Sequence, residues 1–236
     1  AMGPIMLFNS IMTLLRGGSV DPISVLMQIL ATLVIIFLVL PFHEFAHGWA
    51  ANKLGDPTAK LAGRLTFTPL ASVEPLGAVF LLLFGFGWAK PVPVDSRYFR
   101  NERTGMALTA LAGPLANLIA AYLGALVFYA IGIFAPYNTV VAYILIFFNY
   151  YAMINTVLAV FNLVPIPPLD GSKILASFLS DRARFKFYQY QNVLSMVGMI
   201  LLVSGTLSGP IGMAENLVYS GVRWLALVPF RMLGLA

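Results

Sequence analysis

The segment His43-Glu44-Phe45-Ala46-His47 sets two imidazoles four residues apart with a glutamate directly after the first. On a helix, positions i and i+4 lie one turn apart on the same face, so both rings can reach one metal ion, with Glu44 beside the water that ion holds. This HExxH arrangement predicts a hydrolysis. Zinc lowers the pKa of a bound water to about 7, and a glutamate accepts its proton during attack on a carbonyl and later passes it to the leaving amine. The bland alternative is a pair of histidines packed in a polar helix end. Against it, these are the only 2 histidines in the chain, and ionisable groups at membrane depth are costly unless they have a task. The chain has no cysteine, so a transition metal here must use His and carboxylate ligands. Two histidines leave a catalytic zinc one protein ligand short, and a carboxylate from another segment is the usual completion. Asp170 is the candidate: it follows the rigid Pro165-Ile166-Pro167-Pro168 run and precedes Gly171, where the backbone can turn sharply. Its structural alternative is an N-cap for a helix starting at Gly171. Asp56, Glu74, Asp95, Glu102 and Asp181 read as loop charges.

The elements that must position these groups are apolar. Of 236 residues, 60% are hydrophobic and 10% charged, and the mean hydropathy is +0.88, which excludes an ordinary soluble domain and predicts a membrane protein. The net charge of +5 is scattered among loops rather than gathered on one face, so no nucleic-acid partner is expected. Residues 23–40 are uncharged, and helix is expected to continue through Pro41 to about Leu54 as the first span. Residues 64–95 are broken by Gly63, Pro69, Pro75, Gly77, Gly85, Gly87, Pro91 and Pro93, and read as a re-entrant β-strand and loop element. No residue from 104 to 169 is charged, and the break at 135–138 divides that stretch into two spans. Residues 187–206 read as a fourth span. Residues 211–231, with Glu215 and Arg223, read as a weaker fifth or as an interfacial helix.

The expected fold is therefore mainly α: a polytopic membrane protein of about five transmembrane helices plus the re-entrant β element. Seven Lys/Arg fall within 53–103 and four within 173–186, whereas the loops 135–138 and 207–209 have none. By the positive-inside rule the N-terminus is outside, the basic loops and the C-terminus are cytosolic, and His43 and Asp170 lie near the cytosolic side. The chain reads as one membrane-embedded domain, 1–236: an interfacial segment over 1–20, a catalytic core over 23–180 and C-terminal helices over 187–231. Ala1-Met2-Gly3 reads as an expression remnant, no secretory signal is evident, and no room is left for an appended soluble domain.

Three spaced motifs, covering about residues 30–180, resemble the site-2 proteases, intramembrane zinc metalloproteases, in a compact form without a PDZ or CBS domain. HEFAH is similar to that family's HExxH, the stretch from Asn162-Leu163-Val164-Pro165 to Leu169-Asp170-Gly171 to its Asn-Pro-Asp-Gly signature, and Gly113-Pro114-Leu115-Ala116-Asn117 to its GxxxN helix. The segment from Gly87 to Val94 is similar to the loop before that helix. The resemblance implies His43, His47 and Asp170 as ligands of one zinc ion, Glu44 as general base, and Asn117 and Asn162 as polar groups near the active site. Thr68 and Glu74 depart from the family's pattern, where Asn and Asp are usual. Read from the residues alone, Asn117 serves equally as a hydrogen bond between helices, and Gly113 as a point of close packing.

The expected function is zinc-dependent endopeptidase cleavage of transmembrane segments, with membrane-protein substrates and the bilayer as partners. Substrate held along strand edges in 64–95 is a further expectation. The rival reading is a membrane transporter that binds metal in transit with the same His/His/Asp set, and tolerance of Glu44→Gln distinguishes it. An idle relative that binds membrane helices without cutting is disfavoured by the intact HExxH and Asp170.

Overall fold

The computed structural model describes residues 7–84 and 88–235. A short helix, α1 (Leu7–Leu15), precedes the long α2 (Pro22–Lys53), which Asp21 caps by accepting hydrogen bonds from the amides of Ile23 and Ser24, with Pro22 pre-set at the first position. Within α2, Ile35–Val39 winds as a π-helix immediately before Pro41. The proline lacks an amide hydrogen and its ring crowds the preceding turn, so a local widening lets the helix run on to the HExxH without breaking.

Next come three short helices, α3 (Thr58–Leu61), α4 (Pro69–Ser72) and α5 (Pro75–Phe84), and an extended strap over residues 88–95. The long α6 (Glu102–Phe134) and α7 (Thr139–Asn162) form the antiparallel hairpin expected, started by Asn101 and Asn138, whose side chains accept from the amides of Thr104 and Val141. The chain then turns through 163–169, which contains a cis Pro167–Pro168 bond, into α8 (Asp170–Phe178). The polar α9 (Asp181–Gln189), α10 (Gln191–Val203) and α11 (Ser208–Met232) complete it.

The centre is α6, which packs against α7, α2, α8 and α11. Its buried face is small: Ala110, Gly113, Ala116, Ala120, Ala121, Gly124 and Ala125. Small residues let helix backbones approach closely where lipid offers no hydrophobic drive between helices. One apolar core joins Ile35, Ile36, Val39 and Leu40 of α2 to Leu81, Ala120, Ile154 and Leu158; a second joins α11 to the hairpin through Ala121, Ala125, Ala152, Tyr219, Val222 and Ala226.

Two expectations are corrected. Among the described residues three helices, α2, α6 and α7, are long and apolar enough to cross a membrane, so the count of five is not supported. The predicted span over 187–206 breaks at Tyr190, leaving a 13-residue α10 that is only about 20 Å long. The predicted 211–231 span is one 25-residue helix but carries Glu215, Arg223 and Arg231 and falls short on apolarity. The β element is absent: among the described residues of 64–95 there is helix and unpaired extended chain, so substrate pairing along strand edges loses its basis. Pro69 and Pro75 begin helices there, each at a position where a missing amide hydrogen costs nothing. Gly85 and Gly87, also read as breakers, lie outside the described residues, as does Ala1-Met2-Gly3.

Candidate metal centre

His43 and His47 project from α2 toward α6, where Gly113 leaves room for them; a Cβ at Gly113 would collide with both imidazoles. Each ring is held from behind. The Nδ1 of His47 donates to the Thr109 carbonyl at 2.7 Å, and that of His43 to the Asn117 side-chain oxygen at 2.5 Å. Asn117 is fully buried and its amide donates in turn to Asn155 Oδ1 at 3.3 Å, while Asn155 donates to the Tyr151 carbonyl. These bonds fix the tautomer, so that both Nε2 lone pairs face forward.

Asp170 meets them from the start of α8. It is the first helical residue, with Leu169 as N-cap, so it is not itself the cap. Gly171 packs its α-carbon against the carbonyls of Leu163 and Val164, where a Cβ would collide; close approach, not an unusual turn, is what requires glycine. Asp170 Oδ2 lies 3.1 Å from His47 Nε2 and 3.4 Å from His43 Nε2, and the two nitrogens are 3.0 Å apart. All three side chains are buried.

Ligands at about 2.0–2.1 Å around a tetrahedral metal lie roughly 3.3 Å from one another, so this triangle has the dimensions of one face of a zinc site. Its chemistry agrees. With both Nδ1 atoms used as donors, three acceptors converge on one point with no hydrogen between them, a group that could hold one metal ion. Positive charge belongs there, as a metal or as protons that compete with it. Burial alone would raise the Asp170 carboxyl, but the facing His47 and His43 side chains outweigh it and hold the group far below the usual carboxylate range. Lys173 Nζ sits 3.3 Å from the other carboxylate oxygen, Oδ1.

Glu44 is buried beside His43, and its Oε2 accepts a 2.9 Å hydrogen bond from the Val92 amide of the strap. Asn162 is not brought to this group; its side-chain amide donates to the Leu158 carbonyl one turn back. Four contributors went unnoticed in the sequence. Asn155 carries the same signal as Asn117, an amide within an uncharged span. Asp56, read as a loop charge, is fully buried and ties down the strap by accepting from the Asp95 amide. The Thr109 carbonyl and the Val92 amide are backbone groups with no side-chain signature.

A buried acceptor triad beside a glutamate, with both histidines on a helix long and apolar enough to cross a membrane, defines the class: a membrane-embedded metal hydrolase. The family model described as "Peptidase family M50" matches residues 129–205, which include Asp170. The chain is 36% identical over 188 residues to "Putative zinc metalloprotease YwhC" of Bacillus subtilis, covering 78% of this chain and 83% of that protein. It is 27% identical over 201 residues to "Putative zinc metalloprotease Rip2" of Mycobacterium tuberculosis, covering 83% and 75%. With "Putative zinc metalloprotease MJ0611" of Methanocaldococcus jannaschii the identity is 35% over 136 residues, covering 57% and 63%. No solved structure matches. The chain belongs to peptidase family M50, the site-2 protease family, and is a zinc metalloprotease of the membrane.

Proposed function

We propose that this protein is an intramembrane endopeptidase that cuts transmembrane segments of other membrane proteins, with His43, His47 and Asp170 holding one zinc ion and Glu44 acting as general base. The observation that carries the reading is the convergence of His43 Nε2, His47 Nε2 and Asp170 Oδ2 within 3.4 Å of one another beside a buried Glu44. When bound, zinc supplies a Lewis acid that polarises the scissile carbonyl and acidifies a water. Glu44 accepts the proton of the attacking water at a carboxylate oxygen. It then delivers that proton to the amide nitrogen as the C–N bond breaks and the new C–O bond is complete. Asn117 and Thr109 keep the two imidazoles in the tautomer that faces the metal. Asn162 contributes to the helix end that leads to Asp170.

In the proposed topology the N-terminus is outside, the basic residues of 53–103 and 173–186 lie on the cytosolic side, and the C-terminus is inside. Support comes from the basic residues of 53–103 and 173–186 and from their absence in 135–138. Residues 1–20 act as an interfacial segment, 23–180 as the catalytic core and 187–231 as C-terminal helices around it. A centre inside the cytosolic leaflet is supported by the helix lengths: from Lys53 back to His47 is roughly 9 Å, and from Arg103 to Gly113 roughly 15 Å.

The test is cleavage of a single-span reporter by the purified protein in liposomes, with products mapped by mass spectrometry. The expected cut lies within the span, disappears with a zinc chelator and returns with zinc. A cut confined to soluble tails would contradict intramembrane proteolysis. Full retention of function in Glu44→Gln, with zinc flux across sealed vesicles, would favour transport instead.

A further inference from the structure

The strap over residues 88–95 has an unusual supply of hydrogen-bond donors. Pro91 and Pro93 have no amide hydrogen, so within Pro91-Val92-Pro93 the Val92 amide is the sole backbone donor. That one donor goes to Glu44 Oε2, 2.9 Å away. The strap is pinned on both sides of it: the Lys90 amide donates to the Ser72 carbonyl, Arg64 donates to the Lys90 carbonyl at 2.7 Å, and the Asp95 amide donates to the fully buried Asp56. Val92 also packs into the space left by Gly48, on the turn of α2 that follows His47. A residue before proline is restricted to extended backbone, so Pro91 and Pro93 hold Lys90 and Val92 extended before any contact is made.

We propose that Val92 is the positioning residue of Glu44: its amide holds one carboxylate oxygen, leaving the other to take the proton of the attacking water. A glutamate side chain has three rotatable bonds, and without a fixed partner its carboxylate would spend its time among several rotamers. The two prolines make the device selective. The strap can offer a single hydrogen to the buried carboxylate and cannot slide to offer a neighbour's. This inference rests on Glu44 as the base but assigns to the strap a task beyond covering the site.

The key variant is Val92→Pro, which deletes the donor while keeping the extended backbone that Pro-Pro-Pro also favours. Its partner is Val92→Ala, which trims the side chain and keeps the donor. Val92→Pro should lower kcat by about 10- to 100-fold with KM and zinc content unchanged, the size expected when a reacting group is misplaced by about an ångström; Val92→Ala, which keeps the donor and loses only side-chain packing, should lose at least about 5-fold less than Val92→Pro. Equal loss in both variants, or full activity in Val92→Pro where Glu44→Gln is inert, would overturn the proposal. Cleavage by Glu44→Gln would instead overturn the general-base assignment, so the two failures are distinct. If Val92→Pro loses zinc or fails to fold, replacing the Val92 amide by an ester through the α-hydroxy analogue decides by the same criteria. A second readout needs no activity. In metal-free protein, hydrogen exchange at the Val92 amide, the only exchangeable amide of residues 91–93, should quicken at least about tenfold in Glu44→Ala, as for an amide that loses its partner; unchanged exchange would contradict the contact.

Discussion

At the scale of the residue, the metal centre depends on groups that never touch metal. The Asn117 oxygen accepts from His43, and the small Gly113 gives both imidazoles their place. Asn117→Ala leaves a buried imidazole N–H unpartnered and is expected to lower zinc affinity about 10- to 100-fold, as outer-shell losses typically do. Zinc titration of the folded variant checks this. Gly113→Ala should weaken binding at least as much, because its Cβ collides with the rings themselves. In the sequence, the grouping of His43 and His47 with Asp170 was legible because motif spacing and composition limit which side chains can ligate. The tautomer-fixing carbonyl of Thr109 and the amide of Val92 were not, since any residue type offers a carbonyl and nearly any an amide.

At the scale of the element, Asp170 reaches the histidines only because α8 begins where the chain folds back over Leu163 and Val164. Gly171→Ala would push that helix start away from the two carbonyls. It is expected to reduce zinc content nearly as far as Asp170→Asn, although residue 171 carries no ligand. Gly212→Ala in α11 is the control: nothing lies within 4 Å of the added Cβ, and both zinc content and cleavage should be unchanged. Zinc analysis of purified variants distinguishes the two. The long helices could be read because charge is absent over their whole length. The 64–95 region was misread because prolines that end strands also begin helices, and periodicity over four to ten residues does not decide between them. Helix continued through Pro41 as expected, though the device is a π-helical turn, which leaves no mark in the residue pattern.

At the scale of the whole molecule, three helices among the described residues are long and apolar enough to cross a membrane, and the centre joins two of them, α2 and α6, to the short α8. The proposed orientation rests on the positive-inside pattern, and the absence of cysteine makes it directly testable. Single cysteines at Lys60 and at Tyr137 should be labelled by an impermeant maleimide from opposite sides of sealed membranes, Lys60 from the cytosolic side; labelling of both from one side would contradict the orientation. The count of five spans is not supported because the helix over 187–206 breaks at Tyr190, which leaves an apolar piece too short to cross, and because Glu215 and Arg223 lower the hydropathy of 211–231. Because the site joins α2, α6 and α8, zinc binds the folded chain and should raise its thermal stability, by about 2.7 kcal/mol at a free zinc concentration 100 times the Kd. A melting series with and without chelator measures it.

In the proposed mechanism Glu44 performs chemistry while Asp170 holds metal. The most direct test is zinc stoichiometry and reporter cleavage measured on the same preparations of the unaltered protein, Glu44→Gln and Asp170→Asn. One zinc per chain and cleavage are expected for the first, zinc without cleavage for the second, and neither for the third. Cleavage by Glu44→Gln, or full zinc occupancy in Asp170→Asn, would contradict that mechanism.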